Sequence, residues 1–172
     1  WYKGKKESAS TVLAAEGLSP ITLKAKEGLA LLNGTQFSLA YAVWGALTSN
    51  RLYNLANLTT ALSLDGFHCQ LTPFDERLQR VRPHEGQIKV AETIRHWLHD
   101  SEIANNEKVS VQDPYAFRCV PQVHGATYQA LAHIEAIITT EINSVTDNPI
   151  IFPEDEAILS GGNFHAQLLA LP

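Results

Sequence analysis

The 172-residue chain is 45% apolar and 18% charged, which are the length and composition of one globular domain. A net charge of -5 and a pI near 5.8 exclude a basic surface for nucleic acid. The most apolar region, Phe37 to Phe67, is interrupted by Arg51 and three asparagines, so no membrane partner is expected.

Cys69 and Cys119 are far apart in the sequence and form no Cys-x-x-Cys motif. This spacing is typical of reduced, structural cysteines and predicts a cytoplasmic location. Residues 1–7 are basic but precede no apolar stretch, so we do not expect them to form a signal peptide. Because the chain contains no Met, we expect it to begin inside a longer polypeptide.

Helical periods dominate the first part of the chain. Apolar positions predict a helix over Ile21–Leu32 that ends at the stop signal Asn33-Gly34. A second pattern, from Thr35 to Asp65, repeats apolar residues at three- and four-residue steps. Its Ala and Leu residues occur on most sides of the helix, which predicts a central and widely buried element.

Three further elements follow. Thr72 is expected to cap a short helix that continues to about Gln79, and a helix is expected over His84–His99. The segment Asp100–Val109 has the composition of a loop. A long helix with a regular apolar stripe is then predicted over Pro121–Glu141.

The last part of the chain is less regular. Asn143–Pro149 is predicted to be a turn, Ile150–Phe152 a minor extended piece, and Asn163 the cap of a final helix. No alternating pattern of useful length indicates a larger sheet. The sequence therefore predicts an all-α fold, a bundle of long antiparallel helices, with residues 1–172 as one helical segment.

Polar residues cluster between Val111 and Gln122, ahead of the long helix, and one helix cap does not need so many hydrogen-bonding groups. Tyr115 and Arg118 are three residues apart, so they share a face if this turn is helical. A guanidinium group binds a carboxylate through two parallel hydrogen bonds. The alternative for this pair is a surface salt bridge beside a buried tyrosine.

Two other segments have a similar mixed character. Asn33 ends Glu-Gly-Leu-Ala-Leu-Leu-Asn and is followed by Gly-Thr-Gln, and Phe164 lies in Ser-Gly-Gly-Asn-Phe-His. By residue type alone, Asn33 is a helix C-cap and Phe164 a core residue. No metal site is predicted, because His96 and His99 lack the acidic partner of a zinc motif.

Together, these three segments resemble the aromatic amino acid ammonia-lyase family, and most of all its histidine ammonia-lyase members. The resemblance implies that Asn33 and Gln112 position a prosthetic group and the substrate. It also implies that Tyr115 and Arg118 bind the substrate carboxylate and that Phe164 packs beside the prosthetic group. His165 favours the histidine branch, because relatives acting on phenylalanine usually carry Gln there.

The resemblance implies the non-oxidative loss of ammonia from L-histidine to give urocanate, in histidine degradation. The family's electrophile is 4-methylidene-imidazol-5-one, formed from an Ala-Ser-Gly that does not occur in these 172 residues. We therefore expect the chain to be the central segment of a larger enzyme, inactive alone. The whole enzyme is expected to be a homotetramer with a fumarase/aspartase-like central bundle and a small-molecule amino acid as its substrate.

Two alternatives remain open at this point. One is a tyrosine or phenylalanine ammonia-lyase or an aminomutase, because side-chain selectivity in the family resides largely outside this segment. The other is a catalytically silent helical interaction module that kept the fold. The presence of Ala-Ser-Gly and of a base tyrosine in the complete protein distinguishes this second alternative from an enzyme.

Overall fold

The computed structural model describes residues 1–108 and 111–170. The chain divides into two compact units. The helical unit consists of Thr35–Thr146 and residues 165–170, and the loop unit consists of Trp1–Gly34 and Asp147–Phe164. The predicted all-α helical fold is confirmed, and the sheet found within the described ranges is one two-stranded hairpin.

The α-helices of the described residues vary greatly in length, and two 3-10 turns lie between them. In chain order the helices are α1 Ala9–Ala15, α2 Glu27–Ala30, α3 Gln36–Gly66, α4 Glu76–Arg80, α5 Glu85–Leu98, α6 Glu102–Asn105, α7 Tyr115–Arg118, α8 Val120–Ile142 and α9 Gln167–Ala170. Across these residues, no helix is both long and apolar enough to cross a membrane.

Helix α3 confirms the predicted long helix but not its predicted burial. Asn57, Ala61 and Leu64 are its buried residues. Eight of its large apolar side chains remain exposed in this chain, and their positions along the helix share the opposite face. This exposed stripe consists of Phe37, Tyr41, Trp44, Leu47, Leu52, Leu55, Leu58 and Leu62.

The core of the helical unit lies where α3, α5 and α8 pack together. Phe74 and Ile94 are fully buried there, and Leu64 joins them from α3. A polar pair also lies between α3 and α8, where Nδ1 of His124 is 2.7 Å from Oδ1 of the buried Asn57. Burial lowers the pKa of His124 and so favours the neutral ring. Because an amide oxygen only accepts, the Nδ1–H tautomer is the one that fits this contact.

Helices α5 and α8 cross at two glycines. A Cβ atom added at Gly86 would lie 2.1 Å from the backbone oxygen of Gly125, and one added at Gly125 would lie 2.5 Å from the backbone nitrogen of Gln87. No side chain other than hydrogen fits between backbones at these distances. The glycines therefore set how closely α5 approaches the first turns of α8.

Local backbone preferences correct three of the predicted elements. Of the predicted helix Ile21–Leu32, only α2 forms, because Lys26 has a left-handed backbone (φ 70°) that interrupts the helical path. Thr72 begins a 3-10 turn rather than capping a helix, and the Asp75 carboxylate caps α4 by accepting from the Arg77 backbone N–H. The predicted loop Asp100–Val109 contains α6, which Ser101 caps; Val109 itself lies outside the described residues.

The later elements follow the predictions more closely. Helices α5 and α8 confirm the two predicted long helices, and Asn143–Pro149 is a turn. Strand β1 (Ile150–Phe152) pairs antiparallel with β2 (Ala157–Leu159), a partner that the sequence pattern did not indicate. The last helix begins at Gln167, so Asn163 does not cap it.

Candidate functional site

A cleft of about 690 Å³ opens in the helical unit beside the polar segment that precedes α8. The structure brings Gln112, Tyr115 and Arg118 together on its wall, as the sequence predicts for a substrate site. Arg82 adds a second guanidinium group. The other lining residues are Gln70, Thr72, Pro73, Leu78, Val81, Gln87, Val111, Asp113, Cys119 and Gln122.

The buried carboxylate of Asp113 anchors this polar segment to the chain just beyond α3. Its Oδ2 accepts a hydrogen bond of 2.7 Å from the backbone N–H of Gln70. A second hydrogen bond, of 3.1 Å, runs from the Gln70 side chain to the backbone carbonyl of Val111. Two hydrogen bonds with Gln70 therefore hold the start of the polar segment, at Val111 and Asp113, before α7 begins.

Helix α7 presents Tyr115 and Arg118 on one face, which confirms the predicted common face. The Arg118 guanidinium carbon lies 4.6 Å from the centre of the Tyr115 ring. Tyr115 is 72% exposed, and no carboxylate of residues 1–108 or 111–170 pairs with Arg118. The alternative of a salt bridge beside a buried tyrosine is therefore wrong. Arg118 is stacked on a ring with donors still available for an anion.

Gln122, on the first turn of α8, adds an unpartnered acceptor to the cleft wall. Its Oε1 atom is buried and has no hydrogen-bond partner among the described residues. Gln122 lies one turn before Gly125, so the glycine crossing with α5 fixes the backbone that carries it. The cleft thus combines cationic donors with a buried acceptor on a rigid element.

Both cysteines are free thiols, and both lie near the cleft segment. Cys119 is on the cleft wall, whereas Cys69 is buried beside Asp113. Burial, together with the nearby Asp113 carboxylate, raises the pKa of Cys69 to about 11. Cys69 is therefore a neutral thiol at physiological pH and a packing residue rather than a nucleophile.

Asn33 lies in the loop unit, half-buried, just after α2. Its backbone N–H donates to the carbonyl of Leu29 at 2.8 Å, and its side-chain Nδ2 donates to Oδ1 of Asp147 at 3.2 Å. The next residue, Gly34, has a φ of 100°, which explains the glycine at this helix end. Lys26 completes the group, with its Nζ 2.6 Å from Oδ2 of Asp147.

Phe164 also lies in the loop unit, at the end of the loop that follows β2. Its ring is 41% exposed, so it is not the core residue that its type alone predicts. Asn148 holds the start of this loop, because its Oδ1 accepts from the backbone N–H of Gly161 at 2.7 Å and from the hydroxyl of Ser160 at 3.1 Å.

Sequence reasoning missed the three residues that support the predicted site residues. Asp113 anchors the cleft segment, Asp147 contacts Asn33, and Asn148 holds the loop before Phe164. For two of them the sequence signal is Asp147-Asn148-Pro149, whose breaker pattern by itself predicts a turn. Two consecutive polar side chains that hydrogen-bond elsewhere in the unit do more than a chain reversal requires.

Comparison with known proteins identifies the family. The family model described as aromatic amino acid lyase matches residues 1–172, and the chain belongs to this family. A histidine ammonia-lyase of Natranaerobius thermophilus is 48% identical over 100% of this chain and 34% of its own length. Histidine ammonia-lyase 2 of Fusobacterium nucleatum is 45% identical over 99% of the chain, again with 34% of its own length.

Solved structures of related enzymes have a similar fold. Phenylalanine aminomutase of Pantoea agglomerans superposes with a TM-score of 0.86 at 34% identity, covering 98% of this chain and 36% of that one. Histidine ammonia-lyase of Trypanosoma cruzi superposes with a TM-score of 0.82 at 39% identity, covering 95% of this chain and 30% of that one. The chain spans about a third of the length of the curated relatives that it matches.

Proposed function

We propose that this chain forms the carboxylate-binding segment of a histidine ammonia-lyase, which converts L-histidine to urocanate and ammonia. The observation that carries the proposal is Arg118, which lines the cleft without an acidic partner among the described residues. The identity of 41% to 48% with curated histidine ammonia-lyases over nearly the whole chain supports histidine as the substrate.

Arg118 binds the substrate carboxylate in this proposal. Its guanidinium group is already ordered on the Tyr115 ring, so little conformational freedom is lost when an anion binds. Arg82 adds positive charge to the same wall, and Gln112 offers an amide donor. The buried Oε1 of Gln122 is an acceptor that suits the ammonium end of an amino acid.

The loop-unit residues fit the family's prosthetic group. Asn33 has one amide hydrogen engaged by Asp147, which leaves a second N–H and the Oδ1 atom for another partner. The Phe164 ring has an uncovered surface on which a flat, conjugated group stacks. Formed from the Ala-Ser-Gly of the full-length enzyme, 4-methylidene-imidazol-5-one would supply the electrophile that the ammonia-lyase reaction requires. In this proposal Asn33 and Gln112 would position the group, and Phe164 would pack beside it.

We also propose a homotetramer in the cytoplasm. The exposed stripe of α3 carries eight large apolar side chains on one face, and exposed apolar patches of this kind mark interfaces between proteins. A second copy of the chain is the occupant that the family resemblance implies. The two free cysteines suit the reducing cytoplasm.

The proposal is tested by the purified full-length protein with three substrates. We expect urocanate absorbance to appear with L-histidine, with L-phenylalanine and L-tyrosine at least about 100-fold poorer in kcat/KM, because an imidazole and a benzene ring differ in hydrogen bonding. Arg118→Gln is tested beside the wild type, and we expect it to lose activity while remaining folded, because the substrate carboxylate loses its guanidinium partner.

Each alternative has its own result in this experiment. Faster formation of cinnamate or coumarate would assign the protein to the phenylalanine or tyrosine branch, and β-amino acid products would indicate an aminomutase. The Pantoea agglomerans phenylalanine aminomutase has a similar fold, so products and rates, rather than the backbone, distinguish these alternatives. A folded protein that acts on none of the three amino acids would favour the catalytically silent interaction module.

A further inference from the structure

The carboxylate of Asp147 is shared by three donors of the loop unit. Oδ1 accepts from Nδ2 of Asn33 at 3.2 Å and from the backbone N–H of Asn148 at 2.7 Å. Oδ2 accepts from Nζ of Lys26 at 2.6 Å. The Asp147 side chain is 17% exposed and that of Lys26 is 32% exposed, so the ion pair is shielded from much of the solvent.

We propose that Asp147, with Lys26 as its counter-ion, is a positioning residue that fixes the orientation of the Asn33 side-chain amide. The inference rests on the proposed function, in which Asn33 contacts the substrate and the prosthetic group. Neither Asp147 nor Lys26 is assigned a contact with the reacting atoms. Their effect passes through Asn33.

The orientation follows from the chemistry of the two groups. An amide has a donor end and an acceptor end of nearly equal size, and rotation by half a turn exchanges them. An ionised carboxylate only accepts hydrogen bonds. Asp147 therefore admits the Nδ2 end of Asn33 and rejects the Oδ1 end. Within the described residues Oδ1 of Asn33 has no hydrogen-bond partner, so it is presented as an acceptor.

The surroundings keep Asp147 ionised. The hydrogen bond from Lys26, and after it those from the Asn148 backbone and from Asn33, hold the pKa of Asp147 below its usual range. Lys26 reaches Asp147 from a left-handed backbone, with φ 70° and ψ -22°. A non-glycine residue in this region carries a conformational cost, which persists only where surrounding interactions hold it. The ion pair with Asp147 is such an interaction.

Asp147→Asn is the informative substitution, because it preserves the shape of the side chain but replaces a group that only accepts hydrogen bonds with one that also donates them. The new amide accepts through one end and donates through the other, so both orientations of Asn33 become possible. The molecules that present the wrong end are lost to the reaction, and those that present the right end hold it less firmly, because the neutral amide is a weaker acceptor than the carboxylate. Hydrogen-bond partners that orient metal ligands contribute about 10- to 100-fold to activity, and we expect a loss of the same order for the partner that orients Asn33.

The test is a double-mutant cycle in the full-length protein, with Asn33→Ala, Asp147→Asn and the two combined. The readouts are kcat/KM for L-histidine and the affinity for urocanate by calorimetry, with the unfolding temperature of each variant. We expect Asp147→Asn to lower kcat/KM about 10- to 100-fold alone and less than about 3-fold when Asn33 is already Ala. The control Asp155→Asn, an exposed carboxylate of the same unit, should match the wild type.

Substitutions of Lys26 provide a second, independent test of the positioning role. Lys26→Arg keeps the charge and should retain more activity than Lys26→Met, which leaves Asp147 without its counter-ion. This pair also carries the test if Asp147→Asn does not fold. Equal losses from Asp147→Asn with and without Asn33, or no loss at all in an active enzyme, would overturn the positioning role and leave the proposed function intact. A wild-type protein inactive on all three amino acids would instead overturn the proposed function, and the inference with it.

Discussion

The cleft segment of the helical unit and the Asn33 loop of the loop unit are held in different ways. The cleft segment starts from the buried Asp113 and continues into α8, whose first turns pack against α5 through two glycines. The Asn33 loop is held by an ion pair and by hydrogen bonds among half-buried side chains. Backbone packing therefore positions Arg118, whereas charge positions Asn33.

Arg118 should give the largest effect and tests whether the packed region serves binding. Arg118→Gln removes the only group on α7 that binds an anion bidentately, at a cost of about 2–5 kcal/mol. We expect kcat/KM to fall roughly 30- to 4000-fold, with Arg118→Lys retaining part of it. Steady-state kinetics of the full-length protein provides the measurement, with the prosthetic-group absorbance as a check on folding. Near-normal kcat/KM in both variants would make Arg118 structural.

Gly86→Ala should break the packing on which the cleft segment depends. The new methyl group would meet the Gly125 backbone, which cannot rotate away, so we expect the free energy of unfolding to fall by about 3 kcal/mol. Gly45→Ala is the matched control, because Gly45 is inside α3 with no atom within 4 Å of an added Cβ. That control should be neutral or stabilising by up to about 1 kcal/mol. Chemical denaturation at a fixed protein concentration measures both, and equal effects would contradict the crossing.

Asp113→Ala should loosen the anchor without disturbing the helix crossing. The partly buried backbone N–H of Gln70 would lose the Asp113 carboxylate as its acceptor, and leaving such a donor without an acceptor costs up to about 1–3 kcal/mol. Hydrogen exchange should show faster exchange at Gln70 and in α7, with α5 and the later turns of α8 unchanged. Uniform acceleration across all helices would mean that Asp113 supports the whole fold rather than one segment.

Ionisation of Cys69 should have the smallest effect on stability, and it tests whether water is excluded from the buried region beside Asp113. Its pKa is raised to about 11 in the folded protein from an ordinary value of 9.0, so the unfolded chain loses its proton first as pH rises. The contribution to stability is fully present below pH 9 and declines gradually towards pH 11. Denaturation in this window, compared with Cys69→Ala, isolates the effect. An identical pH dependence in the two proteins would place the thiol in contact with water.

The sequence predicted the long helices well because their apolar periods and caps are local. The Gln112–Arg118 cluster was also visible, since its polar residues have no role in a simple helix entrance. The role of Asp147 could not be predicted from the sequence, because its partners Lys26 and Asn33 are more than a hundred residues away along the chain. The Gly86–Gly125 crossing was missed for the same reason: neither glycine interrupts its helix, and only their meeting makes them important.

The exposed stripe of α3 makes any association through this face depend on temperature. Burial of large apolar side chains such as Trp44 and Leu62 carries a large negative heat-capacity change, and its driving force near room temperature is mostly entropic. Contacts made through this face therefore weaken on cooling. We expect an assembly built on α3 to be cold-labile, losing subunits and activity on ice and regaining both when warmed.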